Sequence, residues 1–222
     1  MISRTMSLQY EIFAWRESRG IVSKLSLCFG MAAITGLLAG IRIPLPFTPV
    51  PITGQVLGVF LGSIFLGRFY GGISQIFYVI LGLCGIPWFA GWKGVSIYQF
   101  LSVPSAGYLI GFIFAGFYLG SVVDRKIKNR FFLQQVWAMT IASLIIYLFG
   151  TLHLSIVLKL SFKQAIVMGV LPFILVDLLK AVIAASLSYS ILPKIQYNGE
   201  LDRDVTQNFS KICRGGSFDN QG

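Results

Sequence analysis

Charge is scarce in this sequence. Only 12% of its 222 residues are Asp, Glu, Lys or Arg, about half the roughly 25% usual in a soluble globular domain. So few charges cannot cover the surface of a chain this long, which excludes a water-soluble monomer. Acid is scarcer than base, with eight Asp and Glu against eighteen Lys and Arg. There is one histidine, His153, and the three cysteines, Cys28, Cys84 and Cys213, lie far apart. That leaves no metal-ligand spacing, no disulfide framework and no credible histidine-based triad. No Gly-x-x-x-x-Gly-Lys-Ser/Thr loop occurs, so the chain does not bind ATP by a P-loop, and no His-Glu-x-x-His motif occurs either. No cofactor or metal is expected within the chain, and an enzyme is disfavoured. No internal duplication is evident, which disfavours an inverted-repeat carrier.

What is abundant is apolar: 55% of the residues are hydrophobic. A spanning helix needs about 20 predominantly apolar residues, and six stretches qualify: 24–43, 52–66, 69–86, 105–123, 131–152 and 164–192. They are apolar all round and lack the alternation of a membrane barrel. The expected fold is therefore an all-α membrane protein, a six-helix bundle over 24–192. Residues 1–23 mix charge with aromatics and do not read as a secretory signal. They are expected to be a cytoplasmic or interfacial lead-in. Residues 193–222 turn abruptly polar and read as a cytoplasmic tail.

The net charge of +10 is not a nucleic-acid signature, because no clustered basic patch sits on a soluble domain. It sets orientation instead. With both termini inside, the inner side holds Arg4, Arg16, Arg19, Lys24, Arg68, Arg125, Lys126, Lys128, Arg130, Lys194, Arg203, Lys211 and Arg214. The outer loops hold only Arg42, Lys93, Lys159 and Lys163. That asymmetry satisfies the positive-inside rule and agrees with an even number of spans.

The charges that break the pattern are Asp177 and Lys180, inside the sixth stretch. Spacing of i, i+3 puts them on one helix face, about 7.5 and 12 Å inward from Pro172 at 1.5 Å per residue. Each costs about 2.5–3.5 kcal/mol near the middle of a span, so the pair either lines a polar binding pocket or fixes helix packing as an internal ion pair. A proton relay through Asp177 is a further option. Two outer loops favour the pocket. One, from Ile43 to Ile52, holds Pro44, Pro46, Pro49 and Pro51, and reads as a stiff extended strap. The other, 87–104, carries Trp88, Phe89, Trp92, Lys93 and Tyr98. Its tryptophans suit a pocket wall or an interfacial belt equally well. Small residues recur every fourth position at Ala32, Gly36 and Gly40, at Gly54, Gly58 and Gly62, at Gly107 and Gly111, and at Gly116 and Gly120. Such ridges serve close packing within the bundle or docking of another membrane protein.

Several motifs together resemble the BioY family, the biotin-specific substrate-binding (S) components of energy-coupling-factor (ECF) transporters. They are Ile43-Pro-Leu-Pro-Phe-Thr-Pro-Val-Pro-Ile-Thr53 with Gln55, then Leu81-Gly-Leu-Cys-Gly-Ile-Pro87, Phe89-Ala-Gly91, Pro104-Ser-Ala-Gly-Tyr108 and Asp177-Leu-Leu-Lys180. The resemblance runs over about 24–192. It implies a multi-pass protein of the bacterial plasma membrane, N-in and C-in, that captures biotin from outside. It further implies delivery through a transmembrane coupling subunit carrying two cytoplasmic ATPases, which would bind the ATP. The Ala32–Gly36–Gly40 ridge then becomes the expected docking face for that subunit. Asp177 is expected to accept from the ureido N–H groups of biotin and Lys180 to donate to its carbonyl. Lys93 would meet the carboxylate, although Lys180 and Lys93 can exchange roles. Tyr78, Trp88, Phe89 and Tyr108 would wall the ring and chain, with Thr53, Gln55 and Gly91 contributed by the shared motifs. The chain departs from the family pattern at Trp92-Lys-Gly-Val95, where glycines are usual, and at Val103-Pro-Ser-Ala-Gly-Tyr108. An S component for another small vitamin, or an autonomous proton-linked carrier using Asp177, is the alternative.

Overall fold

The computed structural model describes residues 2–194 and 201, and side chains from residue 9 onward. The polar tail expected from 193 lies almost wholly outside the described residues. Nine α-helices, one 3-10 turn (Ile127–Arg130) and one β-hairpin are the elements of the described chain. Four of the helices are long and apolar enough to cross a membrane: α2 (Ile21–Leu38), α6 (Ala106–Arg125), α7 (Phe132–Val157) and α9 (Ile174–Ile191). Two more are apolar but short, α3 (Gln55–Leu66) and α4 (Tyr70–Leu83). At 1.5 Å per residue they reach only about 18 and 21 Å.

The shorter of the two, α3, is interior. Nine of the twelve residues of α3 are buried, and α3 packs against α2, α4, α6 and α9. The small-residue rows make this possible. A Cβ at Gly58 would lie 2.9 Å from the Thr35 backbone of α2, and one at Gly111 would lie 2.9 Å from Ile146 of α7. A Cβ at Gly116 would lie 2.9 Å from the Gly71 carbonyl of α4. These rows are contacts within the bundle. The same holds for the row expected as a docking face. Ala32 is fully buried, and Gly36 and Gly40 lie under Trp88 and Trp92 of the chain's own outer loop. The row Ala32, Gly36 and Gly40, expected as a docking face, is thus largely taken up by contacts within the chain, with Gly40 part-buried.

Two expected elements differ. The fold is mostly helical, but the proline strap is a hairpin of β1 (Arg42–Leu45) and β2 (Thr48–Thr53). Its register pairs Arg42 with Thr53, Ile43 with Ile52 and Leu45 with Thr48. Proline is tolerated because both strands of a two-stranded ribbon are edges, and alternate residues turn their nitrogens away from the partner. The sixth stretch is also not one helix. It divides into α8 (Phe162–Gly169), opened by a Ser161–Gln164 capping box, and α9. Pro172 has no N–H and would meet the carbonyl four residues back, so the helix stops and restarts around it.

The lead-in is helix α1 (Ile2–Ser18). It is docked at its C-terminal end, where Phe13 is 1% exposed and packs edge-on to Phe65 at 6.0 Å. Arg16 is buried too, donating to the Phe65 carbonyl at 2.8 Å and to Asp124 at 3.4 Å. The backbone N–H of Arg68 donates to the same carboxylate at 2.8 Å. Gly67, at φ 81°, makes the turn between α3 and α4 that brings this N–H into place. The loop 87–104 is irregular apart from a Phe89–Lys93 bridge and the one-turn α5 (Ile97–Phe100).

Candidate functional site

At the hairpin end of the bundle lies a cavity with about 570 Å³ of unoccupied space, its open mouth included. The hairpin contributes Val50, Pro51 and Thr53, and the outer loop contributes Phe89 and Ala90. The helices contribute Gln55, Tyr108, Phe112 and Tyr147, and α9 adds Asp177 and Lys180 with Phe173 just before it. Most of the wall is apolar, with polar groups gathered at two poles.

The charged pole is built by the helix break. Because α9 starts at Ile174, Asp177 sits in its first turn, where the helix dipole favours a carboxylate. Asp177 is 4% exposed. Its Oδ1 accepts from Lys180 Nζ at 2.6 Å and its Oδ2 accepts from the Tyr147 hydroxyl at 2.7 Å. A buried carboxylate is thus neutralised and aimed by two donors, as burial of a charge requires. One side of the pole accepts hydrogen bonds and the other donates them.

The neutral pole is a chain of hydroxyl and amide groups. Thr53 Oγ1 donates to Gln55 Oε1 at 2.8 Å, and Gln55 Nε2 donates to the Tyr78 hydroxyl at 2.6 Å. Tyr78 in turn donates to the Trp88 carbonyl at 2.9 Å, and Trp88 Nε1 donates back to the Tyr78 carbonyl at 2.9 Å. This reciprocal pair ties α4 to the outer loop. Between the poles stand aromatic rings. Phe89 meets Tyr78 edge-on at 5.6 Å, and Tyr108 lies 6.5 Å from Phe173 while its hydroxyl donates to the Gly169 carbonyl at 2.7 Å.

Of the residues singled out from sequence, Thr53, Gln55, Phe89, Tyr108, Asp177 and Lys180 line this one cavity. Tyr78 and Trp88 are buried behind its wall, holding Gln55 and the loop. Gly91 lies against the Arg42 side chain in the turn beyond Ala90. Lys93 is exposed and does not line the cavity. Tyr147 and Phe173 were missed. Tyr147 was visible as a lone phenol in the middle of an apolar run, and Phe173 as the residue after Pro172. Among the described residues no group of three or more His, Cys, Asp or Glu could hold a metal ion.

Comparisons with known proteins bear on this geometry. The family model described as "BioY family" matches residues 6–197. A protein of Methanothermobacter thermautotrophicus named "Probable biotin transporter BioY" is 42% identical over 149 residues, covering 64% of this chain and 94% of that one. The "Biotin transporter BioY" of Thermotoga maritima is 39% identical over 150 residues, covering 67% and 85%. Among solved structures, the crystal structure of the S-component for biotin from an ECF-type ABC transporter superposes with a TM-score of 0.68. It is 27% identical and covers 76% of this chain and 89% of that one.

Proposed function

The chain belongs to the BioY family, and from that premise we propose that it captures biotin in the cavity between the hairpin, the outer loop and α9, as the substrate-binding component of an ECF-type transporter. The observation that carries this reading is the buried Asp177–Lys180 pair in an otherwise apolar cavity. The ureido ring of biotin presents N–H donors beside a carbonyl acceptor. Asp177 and Lys180 present an acceptor beside a donor, so one edge matches the other. Phe89, Tyr108 and Phe173 supply the apolar wall for the thiophane ring. Lys93 is exposed in the loop beyond the cavity, where it would meet the ligand's carboxylate as it enters or leaves.

In this reading α2, α3, α4, α6, α7 and α9 are the six membrane helices of a domain spanning 24–192. Residues 1–23 and 193–222 lie on the cytoplasmic side of a bacterial plasma membrane. Energy comes from a coupling subunit with two cytoplasmic ATPases, which hold the ATP. The protein itself carries out no covalent step.

Titration of the purified protein with biotin, without nucleotide, tests the reading. Tight binding by the wild type is expected, and no binding rejects it. Asp177→Asn removes a charged acceptor, worth about 1.5–3 kcal/mol for hydrogen bonds to charged groups, so affinity should fall by about ten- to a hundredfold. An unchanged affinity would overturn the role given to Asp177. Biotin methyl ester binding as well as biotin would remove Lys93 from the assignment. Uptake driven by a pH gradient, with no ATPase module present, would favour a proton-linked carrier instead.

A further inference from the structure

The last turn of α2 leaves backbone carbonyls that its own helix does not satisfy, as every helix end does. The chain after the helix fills three of the acceptors. Thr35 O receives Ala39 N–H at 3.0 Å, Leu37 O receives Gly40 N–H at 3.1 Å and Leu38 O receives Ile41 N–H at 3.2 Å. The other two are filled from far along the chain. Gly36 O accepts from the Trp92 indole Nε1–H at 3.2 Å, and Ala39 O accepts from the Gly91 N–H at 2.8 Å. The outer loop therefore caps α2.

Trp92 is held in that position at a cost. Its φ is 56°, a left-handed conformation uncommon for bulky residues and kept only where the surroundings over-determine it. The over-determination is visible in the contacts. The indole lies on the face left open by Gly40, where a Cβ would come 2.5 Å from Trp92 Cε2. Yet Trp92 is 59% exposed, so it fills no core and its removal leaves no internal hole. The turn it belongs to is tight: Trp92 N–H donates to Phe89 O at 2.7 Å and Phe89 N–H donates to Lys93 O at 3.2 Å. Fixing Trp92 thus fixes Phe89 and Ala90, and both line the cavity.

We propose that Trp92 is a positioning residue that latches the Phe89–Ala90 wall of the cavity onto the end of α2, so that the cavity opens only when α2 gives up the caps supplied by Trp92 and Gly91. The latch rests on the reading of this cavity as the biotin site. It acts on the gate and makes no contact with the ligand. Loosening it speeds entry as well as exit, whereas damage to a binding wall speeds exit alone.

Biotin association and dissociation rates, measured by stopped flow on the full chain, test this. Trp92→Ala is expected to raise both rates by about three- to tenfold, the scale of one lost hydrogen bond with its packing. Trp92→Phe, which keeps a smaller ring but loses the donor and part of the contact with Gly40, should fall between. Gly40→Ala pushes the ring off from the other side. It should match Trp92→Ala in direction and add little to it in the double variant, and it serves as the test if Trp92→Ala does not fold. A faster dissociation with unchanged association overturns the latch. A readout without biotin separates this proposal from the functional reading. With Cys84→Ser and Cys213→Ser in place, maleimide labelling of Ser105→Cys, a position lining the cavity, should accelerate in Trp92→Ala. Accelerated labelling with no biotin binding by any variant keeps the latch and rejects the ligand. Biotin binding with unaltered rates and labelling rejects the latch.

Discussion

Asp177 shows how a single residue acquires its role from its place in a helix. In sequence it is one acid in a long apolar run, opposed by the cost of burying charge. In the structure the run is broken at Pro172, so the carboxylate stands in the first turn of α9 with Tyr147 on one oxygen and Lys180 on the other. The ion-pair reading and the pocket reading of Asp177 and Lys180 are therefore compatible, since the two residues pair with each other and line the cavity. A prediction follows from the asymmetry of buried pairs. Removing one partner strands a charge and costs about 3–5 kcal/mol, whereas replacing both is often tolerated. Lys180→Met should accordingly lower the melting temperature in detergent more than the double variant Asp177→Asn with Lys180→Met. Neither variant should bind biotin tightly. A double variant that melts below Lys180→Met would show that the pair is not the stabilising unit described.

At the scale of elements, the sequence was most informative where hydropathy alone decides. The segment 105–123 is α6 to within two residues at each end, and the 131–152 stretch lies within α7 but for its first residue. It was least informative where local chemistry competes with hydropathy. Pro172 divides a continuous apolar run, and four prolines form a hairpin where a stiff extended strap was expected, because edge strands need only half their N–H groups. The cavity residues on α9, α6 and the hairpin were legible because charge, proline and aromatics mark them. Tyr147 was not, since its hydroxyl gains meaning only when α7 packs beside α9. The docking of α1 was equally hidden. Arg16 read as one more inner-side cation, yet it is 4% exposed and shares Asp124 with the N–H of Arg68. Asp124→Ala removes the acceptor that Arg16 and the Arg68 N–H share, while Arg16 keeps the Phe65 carbonyl; Arg16→Ala leaves the carboxylate the Arg68 N–H. Asp124→Ala should therefore destabilise more, by about 3–5 kcal/mol. Biotin affinity should change little in either, because Tyr108 and Asp124 are sixteen residues apart on α6, about 24 Å at 1.5 Å per residue. Thermal unfolding and titration of the two variants check the ranking. A melting temperature unmoved by Asp124→Ala would reduce the cluster to a surface contact.

For the molecule as a whole, that same 24 Å separates two chemically different ends. One end gathers Arg16, Arg68, Asp124 and Arg130, where Arg130 donates to the carbonyls of Val123 and Pro193. The other end carries the hairpin, the cavity and the loop with Lys93. Between them, large apolar side chains such as Trp137, Leu144, Leu148, Leu175 and Leu179 face outward. That is the arrangement hydrocarbon demands, because a lipid-facing surface must carry no unsatisfied polar group. Under the positive-inside rule the distribution of cations favours the Arg16–Arg130 end for the cytoplasmic side. External capture requires the Arg16–Arg130 end to be the cytoplasmic one and the cavity to open outward. Cysteine labelling decides this directly. With Cys84→Ser and Cys213→Ser in place, Lys93→Cys should react with a membrane-impermeant maleimide in intact cells. Lys128→Cys, exposed at the opposite end, should react only after the membrane is opened. The reverse pattern would turn the molecule over, put the cavity on the cytoplasmic side, and remove external capture as its function.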